Sequence, residues 1–166
     1  MKQTINIFRR SLAIIITAIL MFVLAGCSTE ASRKTEHYVT SVKNLVNESV
    51  NNTRTLKEQK EKFDCNDNSF SKSYISTLDT LSGLYEQLIQ LESADGYQVY
   101  DNNVKLRAKQ ALTDITKIKN LAQYAFENGD DSLYKKDIDN IYKDYQEAYN
   151  SLITSSSQIQ TEYRNA

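Results

Sequence analysis

The chain has 166 residues, with 20 Lys+Arg against 21 Asp+Glu and a formal net charge of −1. That length suits one domain with a buried core, and the balanced, interspersed charge excludes the basic face that nucleic-acid binding needs. Two cysteines, one histidine and no proline exclude a disulfide framework, a Cys-x-x-Cys-His haem attachment and a paired Glu-x-x-His di-iron site.

The first element is a leader. Lys2, Arg9 and Arg10 form a basic start with no acid before Glu30, and residues 11–26 (SLAIIITAILMFVLAG) are apolar up to Cys27. A spanning helix needs about twenty such residues, so this shorter run, ending in small Ala25 and Gly26, has the layout of a secretory signal. An uncleaved membrane anchor is the alternative. The junction Leu24-Ala25-Gly26-Cys27 resembles the lipobox of bacterial lipoprotein precursors. The resemblance implies recognition of Leu24, Ala25 and Gly26 by a signal peptidase of type II, removal of residues 1–26 and a diacylglycerol thioether on Cys27. It also implies residence on the outer face of a cell membrane. Two acyl chains give stable anchoring where one, at about 0.8 kcal/mol per buried methylene, holds only marginally. Cleavage takes Lys+Arg from 20 to 17 against 21 Asp+Glu, leaving a mature chain of about −4 that has no electrostatic grip on anionic lipid. Residues 20–26 (LMFVLAG) also resemble the short apolar peptide pheromones trimmed from lipoprotein signal peptides, which implies a signalling role for the discarded leader.

Residues 27–36 begin CSTEASRKTE, small and charged without apolar periodicity, and read as a flexible tether. Residues 37–166 read as one helical domain, because proline is absent and the apolar residues recur by threes and fours. The first stripe is Val39, Val42, Val46, Ser49, Thr53, Leu56, Lys60 and Phe63. The second is Tyr74, Leu78, Leu81, Leu84, Tyr85, Leu88 and Leu91. The third, Val104, Ala108, Ala111, Ile115, Ile118, Ala122 and Ala125, is unbroken. The fourth is Tyr134, Ile138, Ile141, Tyr145, Ala148, Leu152, Ser155 and Ile159. Each stripe lies on one helix face, where burial drives association. Turn formers separate the stripes: Asp64–Ser69 with Asn68 or Ser69 as cap, Asp95-Gly96 as the end of the second helix, and Asn128-Gly129-Asp130-Asp131. Gly83 interrupts the second helix at a cost of about 1 kcal/mol relative to Ala, which a close helix contact would explain. Short connections make neighbours antiparallel, so the expected fold is all-α, an up-down-up-down four-helix bundle. The polar seam of the first helix leaves a three-helix bundle with a loose first helix as the competitor.

Chemistry-bearing constellations are few. His37 is the sole imidazole, so neither a Ser/His/Asp nor a Cys/His arrangement can form. The run Asp64-Cys65-Asn66-Asp67-Asn68 starts like a calcium loop but has Ser69 where glycine is required and Ile75 where the acidic twelfth ligand belongs. Cys65 is left without an intramolecular partner once Cys27 is lipidated. We therefore expect no catalytic residue, no metal and no cofactor. The 11 tyrosines are amphipathic contact residues. They read as core-boundary rings with hydroxyls in water, or, for Tyr142, Tyr149 and Tyr163, as a partner-binding surface on the last helix. Composition rich in Asn, Lys, Ile and Tyr, without disulfides, favours a Gram-positive surface. The expected function is a lipid-anchored helical binding module without catalysis, whose partner is a protein or an envelope polymer. A structural subunit of an envelope, conjugation or phage-related assembly is the alternative.

Overall fold

The computed structural model describes the backbone of residues 2–166 and the side chains of residues 30–166. The side chains of Leu24, Ala25, Gly26 and Cys27, which carry the lipobox resemblance, lie outside the described residues. Among the described residues there is no strand, and four helices follow in order: α1 Lys2–Lys60, α2 Asn68–Gln90, α3 Gln98–Asn128 and α4 Ser132–Asn165. The chain divides into two compact units, Met1–His37 and Tyr38–Ala166.

In the first unit, the segment expected as a flexible tether is helical over residues 30–36. Nothing there breaks a helix, and two local bonds support it: Lys34 pairs with Glu30 one turn back at 3.3 Å, and the Thr35 hydroxyl donates to the Ala31 carbonyl. Such exposed i,i+4 pairs contribute only a few tenths of a kcal/mol each, about 0.2–0.5.

The second unit is the four-helix bundle. α3 packs beside both α2 and α4. Thr53 meets Tyr145 and Lys60 meets Asp139, so α1 and α4 run in opposite senses. Tyr74 meets Tyr134 and Tyr85 meets Tyr145, so α2 and α4 run in the same sense, as diagonal partners must. α1 is docked in the bundle as its fourth helix. The core follows the stripes closely: all seven residues of the α3 stripe are buried, as are Val39, Val42, Val46, Ser49, Thr53, Leu56 and Phe63. The fourth stripe needs one correction, because Tyr142 and Ser156 are buried while Ile141 is only half-buried. A 3.6-residue period drifts against a fixed heptad, so over 34 residues the buried face moves sideways.

The helix ends correct three expectations. Asp67, not Asn68 or Ser69, caps α2: its side chain accepts from the Phe70 amide at 2.9 Å. α2 stops at Gln90, before Asp95-Gly96; Leu91 takes extended backbone, and Gly96, at φ +84°, serves the turn that leads into α3. Gly83 makes no close helix contact, since a Cβ there would meet nothing within 4 Å. Gly129 ends α3 in the left-handed conformation, φ 64°, as expected.

Candidate functional site

The tyrosines, not the carboxylates, organise the interior. They form three aromatic layers along the bundle. At one end Phe63 lies 4.4 Å from Tyr134 and 5.2 Å from Tyr74, ring centre to ring centre. Midway, Tyr145 sits among Tyr85, Tyr142 and Tyr149, stacking on the last at 5.9 Å. At the other end Tyr97 touches Tyr38 and Tyr100.

Each deeply buried hydroxyl needs a partner, because an unpaired one forfeits its hydration without compensation. The Tyr74 and Tyr134 hydroxyls pair with each other at 2.9 Å. The Tyr145 hydroxyl is shared between Tyr85, at 2.7 Å, and Thr53. Tyr38 donates to Asp101, whose other oxygen takes the Lys105 ammonium at 2.8 Å. Burial pushes all of these phenols above their ordinary range, Tyr85 to about 12, with its bonds to Tyr145 and Thr53 pulling the other way. Tyr74 and Tyr145 are raised further by burial and then by their tyrosine neighbours. None of them is a general base at neutral pH. The layers hold structure.

The residues expected to form a partner surface separate. Tyr142 is 6% exposed, with its ring under the Lys60 ammonium at 5.4 Å, so it cannot offer a free contact face. Tyr149 is half-buried against Tyr145. Tyr163 is 37% exposed near the end of α4 and alone among the three presents its ring outward. The expectation that tyrosine hydroxyls reach water fails for Tyr74, Tyr85, Tyr134 and Tyr145. Sequence periodicity places these rings inward but cannot show that two of them from diagonal helices meet at their tips.

Lys60, on a seam position of α1, bonds Asp139 and Glu61 at 2.8 and 2.9 Å. Burial pulls its ammonium down, and these two carboxylates outweigh it and hold it above its ordinary value. Two buried polar atoms beside this turn have no partner among the described residues, the Tyr142 hydroxyl and Gln59 Oε1. Cys65 is buried in the α1–α2 connection. Burial, then Asp131 and Asp64, raises its thiol, which removes the thiolate a reactive cysteine needs. His37 is exposed.

Surface grooves lie among the described residues on two sides of the bundle. One, about 330 Å³, lies between α3 and α4 and is lined by Arg107, Gln110, Asp114, Asp144, Glu147 and Ser151. Asp114 in it is already paired with Lys117 at 2.8 Å. The other, about 420 Å³, lies between α1 and α2 over Leu45 and Leu91, with an uncharged rim of Ser41, Asn44, Gln87 and Gln90. Among the described residues no group of His, Cys, Asp or Glu is arranged to hold a metal, and no helix is long and apolar enough to cross a membrane. Comparison with protein-family models, with curated proteins and with solved structures finds no match to this chain.

Proposed function

We propose that this chain is a lipid-anchored surface protein whose helical bundle serves as a binding module without catalytic chemistry. The observation that carries the reading is the Leu24-Ala25-Gly26-Cys27 junction, placed after a basic start and an apolar run. Cys27 would carry the diacylglycerol group, residues 1–26 would be removed, and the bundle would stand on the extracytoplasmic face of the membrane. An interior in which the phenols of Tyr74, Tyr85, Tyr134 and Tyr145 are paired and packed supports a helical scaffold that presents its outer faces to a partner. The partner, a protein or an envelope polymer, meets the outer helix faces.

The anchoring half is tested by growing cells with labelled palmitate and sequencing the mature N-terminus. Label in the wild-type protein, absent from Cys27→Ala, supports it; an unlabelled chain that retains Met1 overturns it. The binding half is tested by crosslinking on intact cells followed by capture with the purified chain. A saturable partner at micromolar concentration supports it, and none at that concentration counts against it.

A further inference from the structure

Two phenol pairs of the α2–α4 portion are complete without α1. Tyr74–Tyr134 and Tyr85–Tyr145 both join α2 to α4, and α3 fills the space beside them with an unbroken stripe of Val, Ala and Ile. α1 is attached differently. Between Val46 and Leu56 its buried seam consists of Ser49 and Thr53. The Ser49 hydroxyl is turned back on the Val46 carbonyl at 2.7 Å, and Thr53 reaches the core through its contact with Tyr145. The middle of α1 therefore buries little apolar surface, and apolar burial is what holds helices together.

Its last turn is costlier still to keep docked. Gln59 Oε1 and the Tyr142 hydroxyl are buried without partners, and each regains water if the helix lifts. The Lys60 side chain is 9% exposed while those of its partners Asp139 and Glu61 are 82% and 66% exposed, so it too regains solvent. The connection at 61–67 is non-helical, and α2 starts on its own Asp67 cap, tied to the last turn of α1 only by the exposed Gln59 Nε2 bond to Ser73 Oγ at 3.1 Å. Phe63, wedged against Tyr74 and Tyr134, stays with the α2–α4 side of that hinge.

We propose that α1, from Tyr38 to Lys60, is a releasable strap that docks on a preformed α2–α4 unit and swings away about residues 61–67, uncovering the Tyr85–Tyr145 layer. The proposal does not depend on lipidation. By connectivity alone, any load applied through residues before Tyr38 enters the bundle through the strap.

Hydrogen exchange on the full-length chain in detergent micelles tests it. Amides of residues 42–56 should exchange as a group, at least about ten-fold faster than those of residues 108–122, with a denaturant dependence smaller than theirs. Leu56→Ala should accelerate both groups by the same factor, on the order of a hundred-fold, because α1 is undocked in the strap opening and in global unfolding alike, so the gap between the groups persists. Val42→Ala should act in the same direction more mildly. Exchange of α1 and α3 through one common opening overturns the strap. So does a Leu56→Ala chain in which the α1 and α3 groups exchange at one common rate, which would show that α2–α4 does not stand without α1.

Discussion

The seams of α3 and α1 face the same core with opposite chemistry. α3 presents seven apolar residues, four of them alanine, all buried; α1 presents Ser49 and Thr53 at its centre. The alanines leave room for the large rings of Tyr74, Tyr85, Tyr134 and Tyr145 to cross between diagonal helices. The hydroxyl of Thr53 then gives the Tyr145–Tyr85 pair a third member. Small residues on one helix and hydroxyls on another are thus two halves of one solution to placing phenols in a dry core. α3 is committed by burial along its whole seam, and α1 by a hydrogen bond at Thr53 with burial of Val39, Val42, Val46 and Leu56 on either side of it.

The sharpest way to break this contrast is alkali. Tyr38, Tyr74, Tyr85, Tyr134 and Tyr145 all ionise later in the fold than the ordinary 10.0, chiefly through burial. Below pH 10.0 both states keep these protons and stability is unaffected. Above it the unfolded chain loses them first, so stability falls as pH rises toward about 12, where Tyr85 would titrate in the fold. In a chain with phenylalanine at the exposed or half-buried positions Tyr100, Tyr124, Tyr149 and Tyr163, tyrosinate absorbance and loss of helical circular dichroism should therefore appear together. Titration near pH 10 with helicity intact would mean that the hydroxyls are solvated.

A narrower cut is Tyr145→Phe, which strands the Thr53 and Tyr85 hydroxyls. It should cost about 1–3 kcal/mol by chemical denaturation. Combining it with Tyr85→Phe and Thr53→Val should recover much of that, because no polar group is then left unpaired. A triple variant no more stable than the single one would place the cost in packing instead.

Smaller effects probe the junction and the outer face. Asp67→Ala removes the α2 cap and should destabilise by about 1 kcal/mol, with protection lost first over Asn68–Ser71 in hydrogen exchange. Gly83→Ala should stabilise by about 0.5–1 kcal/mol, since the added methyl has open space and lies away from the seam chemistry. A destabilised Gly83→Ala in thermal unfolding would show a helix contact at that position after all.

Sequence by itself determined the helix count, the four buried stripes and the left-handed Gly129, because burial imposes a 3.6-residue period and αL backbone selects glycine. It also carried the Leu24–Cys27 junction, whose meaning is chemical and local. Tertiary structure alone decided that Tyr142 turns inward while Tyr163 stays out, since the buried face of a long helix drifts away from any fixed repeat. It alone decided that Asp67 rather than Asn68 caps α2, a choice set by which backbone amide the chain presents at the turn. The same holds for the phenol pairs. Residues 60 apart in the chain, Tyr74 with Tyr134 and Tyr85 with Tyr145, meet only because two helices that are not neighbours point their rings across a core narrowed by alanine.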